Sequence, residues 1–313
     1  MKHKTAILYD PVFLAHDTGN HPENYRRLEV IVEALNTAPF RDKLAWVKPV
    51  PATPTQVEMV HATSYVRQLE EAILSGKHYL DADTLVCHDS WEAALTAAGA
   101  VMTAVKGVSE GLYKNAFCAV RPPGHHAEIS RAMGFCLLNN VAIGAKYARS
   151  ALHMKKVAII DFDVHHGNGT QNIFYADPTV FYVSLHLWPH YPGTGAANET
   201  GSGSATGFNL NIPMSEGMGD VEYLERMDNA VIPAMREFAP EMILVSSGFD
   251  AHGDDPLGGA ALTETGFGEI TRRIVGLAHE LGHDRVVSVL EGGYNLHALA
   301  LSVTAHVAEL ARD

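Results

Sequence analysis

The sequence predicts an α/β fold with a central, mainly parallel sheet, and two observations support this. Short apolar runs that indicate buried strands alternate with longer stretches that carry apolar residues at helical spacing. No repeat, linker or low-complexity segment interrupts this alternation, which is typical of an α/β domain. With 313 residues, of which 47% are hydrophobic, the chain is long enough for a large core, and we expect one domain over residues 1–313.

The apolar pattern places the strands and helices in order along the chain. The predicted strands are Phe117–Val120, Val157–Ile160, Val180–Leu185, Met242–Val245 and Val286–Leu290. The predicted helices are Tyr25–Leu35, Tyr65–Leu74, Trp91–Lys106, Val141–Ala151, Tyr223–Phe238, Phe267–Leu281 and Leu296–Leu310. The segment Gly193–Gly207, rich in Gly, Ser and Thr, predicts a long loop without the glycine spacing of a nucleotide site.

Charge and cysteine content narrow the class of protein. The net charge is −13 and no basic cluster occurs, so we expect no nucleic-acid partner. The cysteines Cys87, Cys118 and Cys136 are odd in number and lack a Cys-x-x-Cys spacing, which indicates free thiols in a reducing cytoplasm. We expect no membrane partner, because neither a signal peptide nor an apolar run long enough to span a bilayer is found. Nothing in the sequence sets the oligomeric state.

Unusual polar sequences follow the ends of four predicted strands. These segments are Arg121–His126, Asp161–Gly169, Ser246–Asp250 and Glu291–Asn295. Active sites on parallel sheets lie beyond the carboxyl ends of the strands. We therefore expect these segments to meet in one site.

Two of these segments carry candidate metal ligands. Asp163 and His165 are two residues apart, so in an extended segment their side chains share one face. Asp250, from another strand, would complete a set of three N and O ligands that leaves a position open for water, as in catalytic zinc sites. The alternative is that these residues only cap strands and form turns.

The other two segments carry candidate proton donors and acceptors. His125 and His126 follow a rigid Pro-Pro-Gly sequence, and a histidine pair suits acid–base chemistry near neutral pH. A second metal site or two unrelated loop histidines are the alternatives. Tyr294 follows two glycines and could donate a hydrogen bond to a developing oxyanion, although a loop tyrosine can also serve only for packing.

Together these motifs resemble the histone deacetylase family, in particular its class II branch and the bacterial histone-deacetylase-like amidohydrolases, which are related to acetylpolyamine amidohydrolases. The sequence His21-Pro-Glu is similar to the N-terminal signature of the family. The resemblance runs from Tyr9 to about Leu310, with the motifs in family order. It implies an arginase-like three-layer α/β fold and a metal-dependent hydrolase that acts on linear amide bonds, removing acetyl or other acyl groups from lysine side chains.

The resemblance also implies roles for the metal ligands and the histidines. It implies zinc bound by Asp163, His165 and Asp250, and this donor set would also accept Fe²⁺. It makes His126 the general base and acid, with His125 beside it as electrostatic support.

The resemblance assigns the residues around the histidines as well. Tyr294 would polarise the acyl carbonyl, Asp161 would orient His125, and Asn168 would orient His126. Since Asn168 is neutral, it should raise the pKa of its histidine less than a carboxylate would.

Further residues are implied as substrate contacts. Phe135 and Tyr191 are similar to the aromatic walls of an acyl-lysine tunnel, and Gly134 would line that tunnel. Asp83 lies in a loop that grips the substrate backbone in relatives. In relatives specialised for polyamines, the position that matches Leu257 resembles a glutamate gatekeeper. A leucine at this position would instead favour contact with the methylene stem of lysine.

The remaining implied sites bind monovalent cations or the product. A structural K⁺ site is implied at Asp161, Asp163, His165, Ser184 and Leu185. A second K⁺ site is partly matched by Phe174, Asp177 and Val180. Arg27 resembles an arginine near the path by which acetate leaves.

Three other functions stay open. The nearest is an acetylpolyamine deacetylase on the same fold, acting on a small acylated amine. A catalytically silent acyl-lysine-binding protein is an alternative from a different class, although the complete set of candidate residues argues against it. An arginase-type ureohydrolase would need a carboxylate-rich two-metal cluster, which the sequence does not provide.

Overall fold

An eight-stranded parallel sheet forms the centre of the molecule. The computed structural model describes residues 4–312, so residues 1–3 and 313 of the predicted domain lie outside it. The strands are β1 (Thr5–Leu8), β2 (Leu44–Val47), β3 (Ala116–Cys118), β4 (Val157–Asp161), β5 (Val180–Leu187), β6 (Asn209–Met214), β7 (Met242–Ser247) and β8 (Val286–Leu290). Their order in the sheet is β2-β1-β3-β8-β7-β4-β5-β6, and all pairs are parallel.

Helices cover both faces of this sheet. They are α1 (Val12–Ala15), α2 (Arg26–Thr37), α3 (Pro54–Val57), α4 (Thr63–Leu74), α5 (Ser90–Ser109), α6 (Asn140–Ser150), α7 (Asn168–Phe174), α8 (Asp220–Arg226), α9 (Ile232–Phe238), α10 (Glu264–Glu280) and α11 (Leu296–Leu310). One group is α5 with α6, and another is α10 with α11 and α2. Every residue of β4, β5, β7 and β8 is buried, which requires cover on both faces and gives three layers.

Side-chain caps set the starts of the long helices that follow the site loops. Asn139 accepts a hydrogen bond from the Ala142 amide and begins α6. Asn295 accepts from two amides of the first turn of α11, immediately after Tyr294. The caps therefore fix where each loop ends and its helix begins.

The register of the central strands brings the site segments together. Asp161 at the end of β4 pairs with Ser246 in β7, and Ser246 pairs in turn with Val289 in β8. The strands β4, β7 and β8 are adjacent and end at the same edge of the sheet. Their following loops meet there, as the sequence predicted.

The structure also differs from the sequence-based assignment in places. Strands β1, β2 and β6 were not predicted. The predicted helix Tyr223–Phe238 is divided by a π-helical segment, Met227–Val231, because Pro233 lacks the amide hydrogen that a continuous α-helix needs. Within residues 4–312, no helix is both long and apolar enough to cross a membrane.

Candidate active site

The three predicted metal ligands lie together at the carboxyl edge of the sheet. Asp163 and His165 follow β4, and Asp250 follows β7. His165 Nδ1 is 3.0 Å from Asp163 Oδ1 and 3.1 Å from Asp250 Oδ2. One potential ligand atom of each residue lies within 4.8 Å of the others. These distances bring all three within reach of one ion.

Backbone amides fix the two carboxylates. The Val164 amide donates to Asp250 Oδ1 at 2.9 Å, and the Gly292 amide donates to Asp163 Oδ2 at 2.8 Å. Gly292 can approach this closely only because it lacks a side chain, since a Cβ there would lie 1.9 Å from Asp250 Oδ2. The loop after β8 therefore forms one wall of the site.

The electrostatics of this set fit a bound cation. Burial would lower the pKa of His165, but the carboxylates of Asp250 and Asp163 raise it to about 10. Burial and the charge of Asp163 raise the pKa of Asp250 to about 7. The two carboxylates thus favour a positive charge on His165 between them, and a divalent ion bound by two oxygens and one imidazole nitrogen would take its place.

The two predicted histidines stand beside the ligands with different partners. Their rings lie 4.0 Å apart between centroids. His125 Nδ1 is 3.0 Å from Asp161 Oδ2, and His126 Nδ1 is 2.8 Å from Asn168 Oδ1. The structure thus contains both contacts that the family resemblance implied.

These partners give the histidines different charges. Burial would lower the pKa of His125, but the carboxylate of Asp161 raises it to about 10. Burial, together with the charges of His125 and His165, lowers the pKa of His126 well below 6.5. A neutral imidazole therefore stands next to a protonated one at neutral pH.

Buried acids that the sequence did not single out hold the histidine segment. Glu291 Oε2 accepts hydrogen bonds from the amides of Gly124 at 2.7 Å and His125 at 3.1 Å. Glu23, in the His-Pro-Glu motif, pairs with the Arg121 guanidinium at 2.8 Å. Both acids lie in motifs that resemble the family, but only their contacts across the fold show what they support.

The predicted substrate residues line one cavity of about 220 Å³ next to the ligands. Its lining includes Asp83, His125, His126, Gly134, Phe135, His165, Tyr191, Leu257 and Tyr294. The Phe135 ring lies 5.9 Å from the Tyr294 ring, and the Tyr191 ring lies 5.2 Å from the His126 ring. Gly134 has a φ of 56° and a Cβ there would lie 2.4 Å from the His126 ring, so the position requires glycine.

The sequence did not indicate two further residues, His190 in the cavity lining and Asp255 behind the loop that carries Tyr294. His190 stacks on His165 with 5.1 Å between ring centroids, and no pattern in the sequence signalled it. Asp255 accepts hydrogen bonds from the amides of Tyr294 at 2.6 Å, Asn295 at 3.1 Å and Leu257 at 3.0 Å. The only signal for Asp255 was its position five residues after Asp250.

The other residues implied by the resemblance take these places. Asp161 pairs in register with Ser184, and Leu185 is the next residue of β5. Phe174 ends α7, Val180 begins β5, and Asp177 between them pairs with the Lys146 ammonium at 2.7 Å. Arg27 donates to the Gly293 carbonyl at 2.7 Å, and its guanidinium lies 5.0 Å from the Tyr294 ring centroid.

A buried Asp-His-Asp set beside two histidines, at the edge of a parallel sheet, is typical of metal-dependent hydrolases. The histone deacetylase domain matches residues 21–310, and the chain belongs to the histone deacetylase family. This confirms the protein family that the motifs indicated.

Individual relatives agree with this assignment. The chain is 41% identical to Histone deacetylase 9 of Homo sapiens over 94% of this chain and 32% of the human protein. It is 38% identical to a probable deacetylase of Archaeoglobus fulgidus over 93% of this chain and 82% of the archaeal one. It spans 49% of Histone deacetylase 5 of Arabidopsis thaliana, at 38% identity.

A solved structure confirms the fold. The crystal structure of the HDA15 HD domain superposes with a TM-score of 0.94 at 38% identity, covering 99% of this chain and 88% of that one. The expected three-layer deacetylase fold is therefore correct.

Proposed function

We propose that the chain is a zinc-dependent amidohydrolase that removes acetyl and other acyl groups from lysine side chains. Residues 1–313 would form one catalytic domain, acting on an acylated peptide, protein or small amine. The observation that carries this proposal is that the candidate ligands, the histidine pair and Tyr294 gather at one cavity. The cytoplasm is the proposed location, in keeping with three free thiols.

The metal would be held by Asp163, His165 and Asp250. When bound, it would lower the pKa of a water towards about 7 and polarise the acyl carbonyl. Zinc is proposed because two carboxylates and one imidazole leave a coordination position free, and Fe²⁺ suits the same donors.

Three residues of the chain would move or hold protons. His126 is neutral and its Nδ1 faces Asn168, so its Nε2 is available to take the proton of the attacking water and pass it to the leaving amine. His125 stays protonated beside Asp161 and stabilises negative charge. Burial raises the pKa of Tyr294 well above 10, so its phenol remains a hydrogen-bond donor for the oxyanion.

The cavity walls would take the stem of an acyl-lysine. Phe135, Tyr191 and Leu257 present apolar surface along the cavity, and Gly134 keeps it open beside His126. Asp83 at the same cavity would accept a hydrogen bond from the substrate backbone.

We also propose K⁺ as a structural ion held by Asp161, Asp163, His165, Ser184 and Leu185, supported by the register pair of Asp161 at the end of β4 with Ser184 in β5. The second set, Phe174, Asp177 and Val180, matches part of a K⁺ site. Lys146 already supplies a positive charge to the Asp177 carboxylate.

Leu257 distinguishes acyl-lysine from acetylpolyamine substrates. A carboxylate at this wall would attract the internal ammonium of a polyamine in a partly desolvated ion pair, whereas leucine provides only apolar contact. We therefore expect the zinc-loaded wild type to have a higher kcat/KM for an acetyl-lysine peptide than for acetylspermidine at physiological salt.

The test compares Leu257→Glu with the uncharged control Leu257→Gln on both substrates. The glutamate variant should shift the ratio of kcat/KM towards acetylspermidine, and the glutamine variant should not. A wild type that prefers acetylspermidine would make the polyamine hypothesis correct. A zinc-loaded wild type that binds acetyl-lysine peptides but hydrolyses neither substrate would support the silent binding protein.

A further inference from the structure

The amide of Asn168 has a second partner besides His126. Its Nδ2 donates to Glu128 Oε1 at 2.9 Å, while its Oδ1 lies 2.8 Å from His126 Nδ1. The same Nδ2 lies 3.3 Å from Met133 Sδ. Asn168 is only 6% exposed. The amide thus connects a carboxylate on one side with the imidazole on the other.

The chemistry of these three groups allows one arrangement of hydrogens. Carboxylate oxygens accept hydrogen bonds and the amide nitrogen only donates, so the contact with Glu128 turns the nitrogen of the Asn168 amide towards it. The amide oxygen is then turned to His126 Nδ1, and this oxygen also only accepts. The proton of neutral His126 must therefore be on Nδ1, which leaves the lone pair on Nε2.

We propose that Glu128 is a positioning residue that sets the tautomer of His126 through Asn168. Glu128 is not among the residues that line the cavity, so it acts without touching the substrate. The consequence for catalysis depends on the proposed function, because it assumes that His126 Nε2 is the proton acceptor. The tautomer itself does not depend on that function.

The backbone holds Glu128 in place. Its carbonyl accepts from His61 Nδ1 at 2.9 Å, and its amide donates to the Arg131 carbonyl at 2.9 Å. His61 Nε2 accepts from the Asn139 amide at 2.9 Å, so both ring nitrogens are in use. The half-buried Glu128 side chain therefore starts from a fixed backbone and is not a freely moving surface group.

The start of α7 is held against the same segment. A Cβ at Gly169 would lie 2.2 Å from the Ala127 carbonyl oxygen, so glycine allows this close approach. Asn168 is the residue before it and the first of α7. The contact between Asn168 and Glu128 follows from this backbone packing.

Two substitutions, made singly and then together, test the proposal by rescue of activity. Glu128→Gln keeps the shape but offers an amide that can donate or accept, so the Asn168 amide can turn over. We expect kcat to fall about 10–100-fold, part of the usual contribution of a general base, with KM little changed. Asn168→Asp alone would place a carboxylate against Glu128 and should also lower kcat.

The double variant Glu128→Gln/Asn168→Asp restores a donor facing an acceptor. The amide introduced at position 128 would donate to the carboxylate introduced at position 168, whose other oxygen would accept from His126 Nδ1. We expect its kcat to exceed that of both single variants. A role of Glu128 in folding alone would make the two losses additive, and additive losses would overturn the proposal.

The tautomer can be measured without turnover. The ¹⁵N chemical shifts of the His126 ring should show a proton on Nδ1 in wild type and a mixture of tautomers in Glu128→Gln. Exposed Glu33→Gln in α2 is the matched control and should change neither kcat nor tautomer. Thermal unfolding confirms that each variant is folded, and Glu128→Ala provides a second substitution.

The outcomes separate this proposal from the proposed function. An unchanged tautomer and rate in both Glu128 variants would overturn the role of Glu128. A changed tautomer in a protein whose zinc-loaded wild type hydrolyses no acyl-lysine substrate would support Glu128 and reject the function.

Discussion

At the scale of single residues, the chemistry of the site depends on what each buried side chain can accept or donate. His125 and His126 are consecutive, yet a carboxylate partner raises the pKa of the first, while burial and the charges of His125 and His165 lower the pKa of the second. This difference assigns electrostatic support to one ring and proton transfer to the other.

The Asp250 carboxylate is the ligand that arrives from a separate strand. We predict that Asp250→Ala loses metal and activity together, because a set of three ligands with an open position cannot lose one and retain tight binding. Metal per chain, measured by atomic emission, would be compared with turnover. Exposed Asp42→Ala is the control. Full metal content and full rate in Asp250→Ala would remove this residue from the site.

The Tyr294 phenol is the candidate oxyanion donor. We predict that Tyr294→Phe lowers kcat on the order of 10²–10³, the usual effect of removing one such donor, without changing the metal content. The raised pKa of the phenol keeps it protonated across the accessible pH range. Exposed Tyr79→Phe is the control, since its side chain is 55% exposed. An unchanged kcat would show that Tyr294 serves only for packing.

At the scale of elements, long apolar runs made the central strands predictable. β4, β7 and β8 are buried on both faces, so their residues are hydrophobic, apart from Ser288 in β8, until the polar segments begin. β2 was missed because it is a four-residue edge strand whose Trp46 is 40% exposed. β6 alternates asparagines with apolar residues and has no continuous run.

The candidate site was predictable for a related reason. Its ligands and histidines lie in compact motifs directly after strands, where the chain direction alone brings them together. Asp255 contacts Tyr294 across 39 positions of sequence, and Glu128 contacts Asn168 across 40. Such contacts depend on how loops pack in three dimensions, and no local spacing reports them.

Asp255 joins the loop after β7 to the start of α11. Its carboxylate accepts hydrogen bonds from three amides, those of Tyr294, Asn295 and Leu257. We predict that Asp255→Ala lowers kcat at least about tenfold, because the phenol of Tyr294 loses its fixed position. A tenfold decrease corresponds to a loss of only about 1.4 kcal/mol of transition-state stabilisation.

The same substitution should loosen the loop. Each buried amide left without a partner costs about 1–3 kcal/mol, so we expect faster hydrogen exchange in residues 292–296 and a lower Tm. The neighbouring Asp254→Ala is the control, because that side chain is 78% exposed. Unchanged exchange and kcat in Asp255→Ala would show that the helix cap at Asn295 holds the loop alone.

At the scale of the whole molecule, several histidines are buried deeply enough to stay neutral. Burial lowers the pKa of His16, His61 and His186 to about 4, and that of His306 to about 3. These residues lie in separate parts of the fold, and their rings remain neutral in the native state at moderately acidic pH. The unfolded chain, in contrast, protonates each of them near pH 6.5.

Two buried acids change the stability of the native state in the opposite direction over the same pH range. Burial raises the pKa of Asp250 and of Glu291 to about 7, so without metal the native state takes up protons there before the unfolded state does. The total stability curve therefore mixes both effects. A single histidine is isolated by comparing wild type with a variant that differs only at that position.

His306 is suited to this comparison because it lies in the core and its hydrogen-bond partners are not metal ligands. Its Nδ1 is 2.6 Å from Thr271 Oγ1, its Nε2 is 2.8 Å from Ser288 Oγ, and phenylalanine rings surround it. Because the pKa of His306 is lowered in the folded state, the unfolded state binds more protons below pH 6.5. The contribution of His306 to stability therefore decreases as the pH is lowered from about 6.5 to about 3.

We predict that His306→Gln is less stable than wild type at pH 7, since the substitution disturbs two buried hydrogen bonds, but less sensitive to acid. The difference in unfolding free energy should shift in favour of the variant by about 1.4 kcal/mol per pH unit between roughly pH 6 and 4. Urea unfolding at several pH values measures this difference. His78→Gln, at an exposed ring that meets water in both states, should follow wild type. Parallel curves for wild type and His306→Gln would mean that His306 takes up its proton equally in the folded and unfolded chains.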